Sequence, residues 1–495
     1  MEEPGNLRRS LRTAAQGWTE EYQSHGRTDL LLMGMDTFRW LVASAEAGPE
    51  LDSARSDLFV GLQLQYGWSG QPEMLDEAID LGTAVVAASQ EGPPRARQES
   101  NLANALRLRF EATGERRDLD ESIARARRGL EATLSPAIQA QRWSNLALSL
   151  RSRYELLERR QDLADSLDGF RRARDLAAET EPQRSRIGSN LAVVMRLKGT
   201  ADRDRDLLRD AVELAMASVT SEAAYPADRS GFLINAALAC VDLHQLTGAT
   251  DALDLGISLL GEAAAIVDPG DPDLTLILLN SAYATRVKAT LESADAALLD
   301  VAVTAAADVL SVSRSESPDR ALALAGLGRA YWLRFQRRLD RQDGQRAVES
   351  RLQAARQPFG SAAARAQSGQ LAGQWSMELG DARTATDGYA RAVDLLREVA
   401  WSGLRRTERE RGLIEFAGLA CDAMAAAVAA GRCLDALAFV EHGRSVLWDD
   451  GLQQREVATL QAEAPELADR LVVLRERLDV LVARGAAELR SEDSS

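Results

Sequence analysis

Residues 100–123 read SNLANALRLRFEATGERRDLDESI, and the same pattern returns five more times along the chain. The copies at 56–79 (SDLFVGLQLQYGWSGQPEMLDEAI) and 144–167 (SNLALSLRSRYELLERRQDLADSL) align with it without a gap. Further copies begin at Ser189, Ile234 and Leu279, so the period is 44 to 45 residues. Self-similarity at a fixed period of this length is typical of repeat architectures.

Each copy predicts two helices. Leu102, Leu106 and Phe110 recur with helical spacing, and a second stripe follows a short loop. Asp118, and Asp162 in the next copy, stand at the start of the second stripe and are predicted as N-terminal caps. Prolines recur every 43 to 46 residues and mark where the first helices begin: Pro49, Pro93, Pro136, Pro182 and Pro226.

A single helix pair cannot bury both of its apolar stripes, so neighbouring pairs must stack. The predicted fold is therefore all-α, a right-handed α-solenoid of antiparallel helix pairs. We predict a degenerate N-terminal repeat over 1–49, with helices near 7–22 and 30–43, and a repeat array over 50–398. A C-terminal repeat with linker helices over 399–490 and a disordered tail over 491–495 would follow.

The repeat resembles the tetratricopeptide (TPR) family. NLANAL at 101–106, Gly114 and LDESIARA at 119–126 are similar to the TPR core, in which Asn-Leu-Gly-Asn-Ala-Tyr precedes Gly-Asp-x-x-x-Ala. The period here is longer than the usual 34 residues. The resemblance covers about residues 5–400, and it implies a concave groove, lined by the first helices, that binds peptides or proteins.

A narrower resemblance covers residues 436–479, ALAFVEHGRSVLWDDGLQQREVATLQAEAPELADRLVVLRERLD. This stretch looks like the linker helices that follow long-period repeats in bacterial proteins ending in a CHAT domain, a caspase-like cysteine peptidase. That family carries its catalytic His and Cys further downstream. No position of this sequence matches that motif, so no catalytic residue is transferred.

Composition excludes several functional classes. The formal net charge of −16 disfavours nucleic acid and anionic membranes as partners. Three cysteines are too few for a disulfide framework, and no apolar run is long enough to span a membrane. We find no phosphate-binding loop, metal-ligand spacing or other cofactor motif. With no secretory signal in MEEPGNLRRS, we expect a cytoplasmic protein of a bacterium-like cell.

The candidate partner-binding residues form an asparagine ladder with associated cations. In five of the six copies one Asn, replaced by Asp57 in the copy at 56–79, lies on the helix face opposite the apolar stripe, and the TPR resemblance implies that it faces the groove. A cation follows eight residues later in four copies, which suits an acidic peptide or a C-terminal carboxylate. The candidates are Asn101, Asn104, Asn145, Asn190, Asn235, Asn280, Arg109, Arg153, Lys198 and Lys288.

Two readings of this ladder stay open. The asparagines and cations either contact a ligand, or they bridge adjacent repeats and pair with acidic residues of the second helices. Cys240 and His244 lie four residues apart and could touch, but Cys240 sits in an apolar run typical of a core residue.

Three functional hypotheses follow. The first is a non-enzymatic scaffold that binds a protein or peptide in the groove. The second is a regulatory or substrate-presenting subunit of a caspase-like peptidase encoded on a separate chain. The third is a sensor whose curvature changes when a ligand binds.

Overall fold

A computed structural model confirms that the chain is an all-α array of helix pairs. No strand occurs among the residues that the structure describes. These group into two compact units, the first ending at Ala249 and the second starting at Thr250. The described residues are 4–113, 115–132, 135–157, 159–178, 182–268, 271, 273–291, 297–313, 319–358, 361–399, 415–445, 460–461, 464–471 and 474.

The helices alternate between a first and a second helix of each pair. In the first unit they are α1 (Pro4–His25), α2 (Thr28–Ser44), α3 (Pro49–Ser69), α4 (Glu73–Ala88), α5 (Pro93–Thr113), α6 (Arg116–Gly129), α7 (Pro136–Leu157), α8 (Arg160–Leu176), α9 (Pro182–Asp202), α10 (Arg205–Val219), a 3-10 helix (Pro226–Asp228) and α11 (Arg229–Thr247). In the second they are α12 (Thr250–Ile266), α13 (Asp273–Thr290), α14 (Ala297–Val312), α15 (Asp319–Arg338), α16 (Arg341–Arg356), α17 (Ala362–Glu378), α18 (Ala382–Val399), α19 (Leu419–Ala429) and α20 (Cys433–Ser445).

Four of the five prolines mark the start of a first helix as predicted, whereas Pro226 begins the 3-10 helix and α11 starts at Arg229. Pro49, Pro93, Pro136 and Pro182 are each the first residue of a first helix, where the missing N–H has no intrahelical partner to lose. The helices predicted near 7–22 and 30–43 are α1 and α2. The partition of the chain at residues 49, 398 and 490 stays a prediction. The tail at 491–495 and most of the predicted final helix lie outside the described residues.

The prediction that Asp118 and Asp162 cap their helices is wrong. The N-cap residues of α6 and α8 are Glu115 and Arg159, and neither makes a side-chain cap bond. Each aspartate is instead the third residue of its helix, where its charge still interacts favourably with the helix dipole. Its carboxylate is bound by an arginine of the preceding first helix.

Neighbouring pairs share their cores, as the array prediction requires. One buried cluster runs from Ala15 on α1 through Phe38 and Phe59 to Leu106 on α5. Another joins α7 and α8 to α9 and α10 around Phe170. Because each cluster takes residues from successive pairs, the pairs in these two clusters do not bury their apolar stripes alone.

The first unit bends back on itself. The guanidinium of Arg186, at the start of α9, donates to the backbone carbonyl of Gln23 near the end of α1 (3.4 Å). Arg186 also binds Asp228 (2.6 Å) and lies over the ring of Tyr225. First helices four pairs apart therefore touch, which places the first helices on the inner side of the bend.

Arginines cap the ends of several second helices. Arg142 is 2% exposed and donates to the carbonyl of Gly129 at the end of α6 (2.6 Å). Arg184 and Arg320 make the same kind of bond to carbonyls near the ends of α8 and α14. A cation satisfies the free carbonyls at a helix C-terminus and interacts favourably with its dipole. This contact joins each of these second helices to the first helix that follows it.

Candidate functional site

The first helices each present one narrow, partly exposed stripe between their buried flanks. We call this the inner stripe, and it contains the asparagine ladder, which runs along α5, α7, α9, α11 and α13 and is described first on α5, α7 and α11. The stripe residues follow helical spacing of three and four, and all are intermediate or exposed. They are Arg97, Asn101, Asn104 and Leu108 on α5, Gln141, Asn145 and Leu148 on α7, and Gly231, Asn235 and Leu238 on α11.

Two ladder asparagines bridge adjacent first helices. Asn145 Nδ2 donates to Ser100 Oγ at 3.1 Å, and Asn235 Nδ2 donates to Ser189 Oγ at 2.9 Å. The serine is in each case the residue just before the ladder position of the preceding copy. At these two positions the asparagines therefore bridge adjacent repeats, which is one of the two interpretations that the sequence left open.

The remaining asparagines differ from one another. Asn190 and Asn280 each donate to the carbonyl four residues earlier on their own helix. Asn104 donates to Gln63 on α3 and accepts from Arg107. The Asn101 side chain has no hydrogen-bond partner within the described part of the chain. Its amide is therefore available to a ligand on the inner stripe.

Arg109 and Arg153 each hold two second helices together. Arg153 binds both carboxylate oxygens of Asp162 on α8 (2.7 and 2.8 Å) and also reaches Asp120 on α6 (3.2 Å). Arg109 makes the equivalent bonds to Asp118 and Asp76. The pKa of each arginine is raised, mainly by its hydrogen bond to the aspartate of the same helix pair, Asp118 for Arg109 and Asp162 for Arg153. We call this arrangement the arginine clamp.

A third clamp lies in the second unit and was not among the sequence candidates. Arg334 binds Asp343 through two hydrogen bonds and Asp300 through a third. The arginine and the aspartate of its own pair are nine residues apart in all three clamps. That recurring spacing is the signal in the sequence that could have revealed the clamps.

The two candidate lysines also face carboxylates. Lys198 Nζ lies 2.6 Å from Asp202 on its own helix, and Lys288 Nζ lies 2.6 Å from Asp254 on α12. The structure thus places all four candidate cations next to aspartates of the array. Their charge is largely neutralised there, so they contribute little net positive potential to the inner stripe.

Arg97 is a cation of the inner stripe that the sequence reasoning missed. It is exposed and one turn before Asn101 on α5, and the described residues include no carboxylate partner for it. Burial first, and then the nearby charge of Arg97, lowers the pKa of Arg142. Two guanidinium groups therefore lie near each other, which favours an anionic group at this point on the stripe.

The inner stripe also carries aliphatic side chains. Leu108, Leu148 and Leu238 are only partly buried, and each lies within two turns of a ladder asparagine. Partly exposed leucines alternating with amides give a surface that can take both the backbone and the apolar side chains of an extended segment.

Cys240 and His244 do not form a nucleophile pair. The thiol of Cys240 is fully buried, and burial raises its pKa to about 12. A ring nitrogen of His244 is hydrogen-bonded to the carbonyl of Ala249 (3.0 Å) instead. A buried, protonated thiol is a poor nucleophile because the thiolate is the reactive form.

We therefore expect the three cysteines to differ in alkylation. In native protein at pH 8, iodoacetamide should modify Cys421 and Cys433, which are exposed, and leave Cys240 unmodified. In denaturant all three should react, which peptide mass spectrometry would measure. Rapid native labelling of Cys240 would contradict its placement in the core.

Other site types are absent from the residues that the structure describes. No group of three or more His, Cys, Asp or Glu side chains there is arranged to hold a metal ion. Within that same part of the chain, no helix combines the length and apolarity needed to cross a bilayer.

No protein-family model matches this chain, and no curated protein matches its sequence. The solved structures that it resembles include the apo form of RapI, with 13% identity and a TM-score of 0.45 over 79% of this chain and 98% of that one. The apo quorum sensor NprR from B. thuringiensis gives 12% identity and a TM-score of 0.44 over 79% and 99%. A human IFIT1 dimer with m7Gppp-AAAA gives 11% and 0.42 over 88% and 94%. At this level of similarity the likeness carries no functional argument.

Proposed function

We propose that this chain is a non-catalytic scaffold that binds an extended segment of a partner protein along its inner stripe. The observation that carries the proposal is that Arg97, Asn101 and Gln141 all lie on the inner stripe of the neighbouring first helices α5 and α7. None of the three side chains has a hydrogen-bond or ion-pair partner among the described residues. The amides of Asn101 and Gln141 would bond the segment's backbone, and Arg97 would pair with a carboxylate.

This arrangement favours an acidic side chain or a C-terminal carboxylate in the partner. Arg97 is the cation available for that contact, whereas Arg109 and Arg153 are engaged in clamps. Hydrogen bonds to charged groups contribute about 1.5–3 kcal/mol each, so one such contact changes affinity by roughly 10- to 100-fold.

The test begins with a random-peptide selection on the purified chain, and the dissociation constant of a selected peptide is then measured by calorimetry. The double variant Arg97→Ala/Asn101→Ala should bind at least about 10-fold more weakly, with an unchanged circular dichroism spectrum. Binding to the unmodified chain should also weaken as salt is raised.

The matched control is Arg171→Ala. Arg171 is an exposed arginine on α8, a second helix, and no partner for it occurs in the described ranges. This variant should bind as the unmodified chain does. If Arg171→Ala abolished binding and the double variant did not, the partner would sit on the second helices and the proposal would be wrong.

The regulatory arm of a caspase-like peptidase is a narrower form of the same proposal. It rests on the resemblance of residues 436–479, of which 446–459, 462–463, 472–473 and 475–479 lie outside the described residues. In that case the bound segment would belong to a peptidase on another chain. Cleavage of unstructured substrates by the purified chain alone would count against the non-catalytic role.

A further inference from the structure

The turn between α15 and α16 holds an exposed leucine in a backbone conformation that favours glycine. Leu339 has a φ of 59° and is 77% exposed. The turns after α3, α11 and α17 have glycine in this left-handed conformation, at Gly70, Gly248 and Gly380. The left-handed region is unfavourable for a residue with a Cβ atom, and a side chain so exposed recovers little of that cost by packing. Leu339 is therefore a strained apolar residue presented to solvent.

The same turn is locally basic. Residues 334–346 contain five arginines and two aspartates, an excess of three positive charges in a chain whose net charge is −16. Both aspartates are occupied within the turn. Asp343 is bound by Arg334 in the clamp, and the side chain of Asp340 caps the start of α16. The surface around Leu339 therefore attracts anionic groups.

Two of these arginines are held in place by carbonyls rather than by carboxylates. Arg337 donates to the carbonyl of Thr290 at the end of α13 (3.4 Å), and Arg341 donates to the carbonyl of Leu379 after α17 (2.9 Å). Both arginines are exposed, and no carboxylate within the described ranges pairs with either. Each guanidinium thus keeps its full charge, and its partial fixation lowers the entropy lost when an anion binds.

We propose that this basic turn, formed by Arg337, Leu339 and Arg341, docks a short acidic segment of a partner protein that also carries an apolar side chain. The two guanidinium groups would pair with carboxylates, and Leu339, between them in the chain, would bury the apolar side chain. A nucleic acid suits the turn less well, because phosphates would leave Leu339 exposed and a chain of charge −16 repels a long polyanion. The proposal adds a second contact surface and does not rest on the inner stripe.

The test uses a fluorescein-labelled pentapeptide, Glu-Glu-Leu-Glu-Glu, titrated with the full chain and followed by fluorescence polarisation. The double variant Arg337→Gln/Arg341→Gln should weaken binding at least about 10-fold, because it removes two charge-assisted contacts. Leu339→Gly should weaken it at least about threefold through the lost apolar contact. The peptide with serine in place of leucine should bind the unmodified chain more weakly, and Arg97→Ala/Asn101→Ala should leave binding of the leucine peptide unchanged.

Thermal stability separates recognition by Leu339 from a role in packing. Leu339→Gly relieves the left-handed strain, so the thermal midpoint should not fall. Arg203→Gly is the matched control. Arg203 is the exposed residue after α9 in the first unit, with a φ of 55°. This control should also keep its thermal midpoint, and it should bind the peptide as the unmodified chain does.

Four results would overturn the proposal. The first is no peptide binding, or equal binding by the unmodified chain, Leu339→Gly and the double arginine variant. The second is a lower thermal midpoint of Leu339→Gly, which would assign the leucine a packing role. Tighter binding of a labelled oligothymidylate of the same charge would favour a nucleic acid. Self-association of the chain in sedimentation, abolished by Leu339→Gly, would favour a second copy of this chain.

Discussion

Replacing Arg153 by methionine should lower the free energy of unfolding by about 3 kcal/mol, because it leaves the buried carboxylate of Asp162 without its partner. The Asp162 side chain is only 6% exposed, and Arg153 supplies two of its hydrogen bonds. Hydrogen exchange of the α7 and α8 amides should then accelerate by on the order of 100-fold. Urea unfolding followed by circular dichroism measures the global effect.

The double variant Arg153→Met/Asp162→Asn tests whether the loss of stability comes from the unpaired charge of Asp162. If the cost comes from an orphaned charge, removing that charge should recover a large part of the lost stability. Arg209→Met is the control, because Arg209 and its partner Asp206 are both well exposed and such pairs contribute at most about 1 kcal/mol. An Arg153→Met variant as stable as Arg209→Met would contradict the clamp.

Gly388→Ala should lower the free energy of unfolding of the second unit by at least as much as Arg153→Met lowers that of the first unit. The backbones of α17 and α18 touch here: a Cβ on Gly388 would lie 2.7 Å from the backbone nitrogen of Gly373 and 2.9 Å from the carbonyl oxygen of Gly369. Backbone atoms cannot turn aside as a flexible side chain does, so the helices must separate. We expect a loss of about 3 kcal/mol, at the upper end of the usual cost of overpacking.

Gly326→Ala provides the matched comparison. Both glycines lie inside helices of the second unit, and alanine is the better helix former by about 1 kcal/mol. With open space at Gly326, that substitution should be neutral or stabilising in urea denaturation. Similar destabilisation by both alanines would show that close packing at Gly388 is not the cause.

The sequence predicted the architecture because periodicity and proline act locally. Helices start at Pro93 and Pro136 because proline is tolerated only in the first turn of a helix. This rule does not depend on how the rest of the chain folds. The apolar stripes then require stacking, so the array follows from one copy and its period. The same local rules located Asn101 and Asn145 on the partly exposed stripe.

Hydrogen-bond and ion-pair partners on neighbouring helices could not be predicted from the sequence of one copy. Asp118 is of a residue type that often caps helices, yet it is the third residue of α6. Its carboxylate binds Arg109 because that guanidinium reaches it from the preceding helix. Arg97 was missed because a cation without a partner is recognised only when its neighbours are known.

The central claim is that the inner stripe is the surface that binds a partner protein, and site-specific photo-crosslinking in the native cell tests it most directly. A benzophenone amino acid at Leu148, on the inner stripe, should yield a reproducible covalent adduct with one partner. The same probe at Met33, exposed on the second helix α2, should yield none. Adducts from Met33 but not from Leu148 would place the partner on the outer helices and contradict the claim.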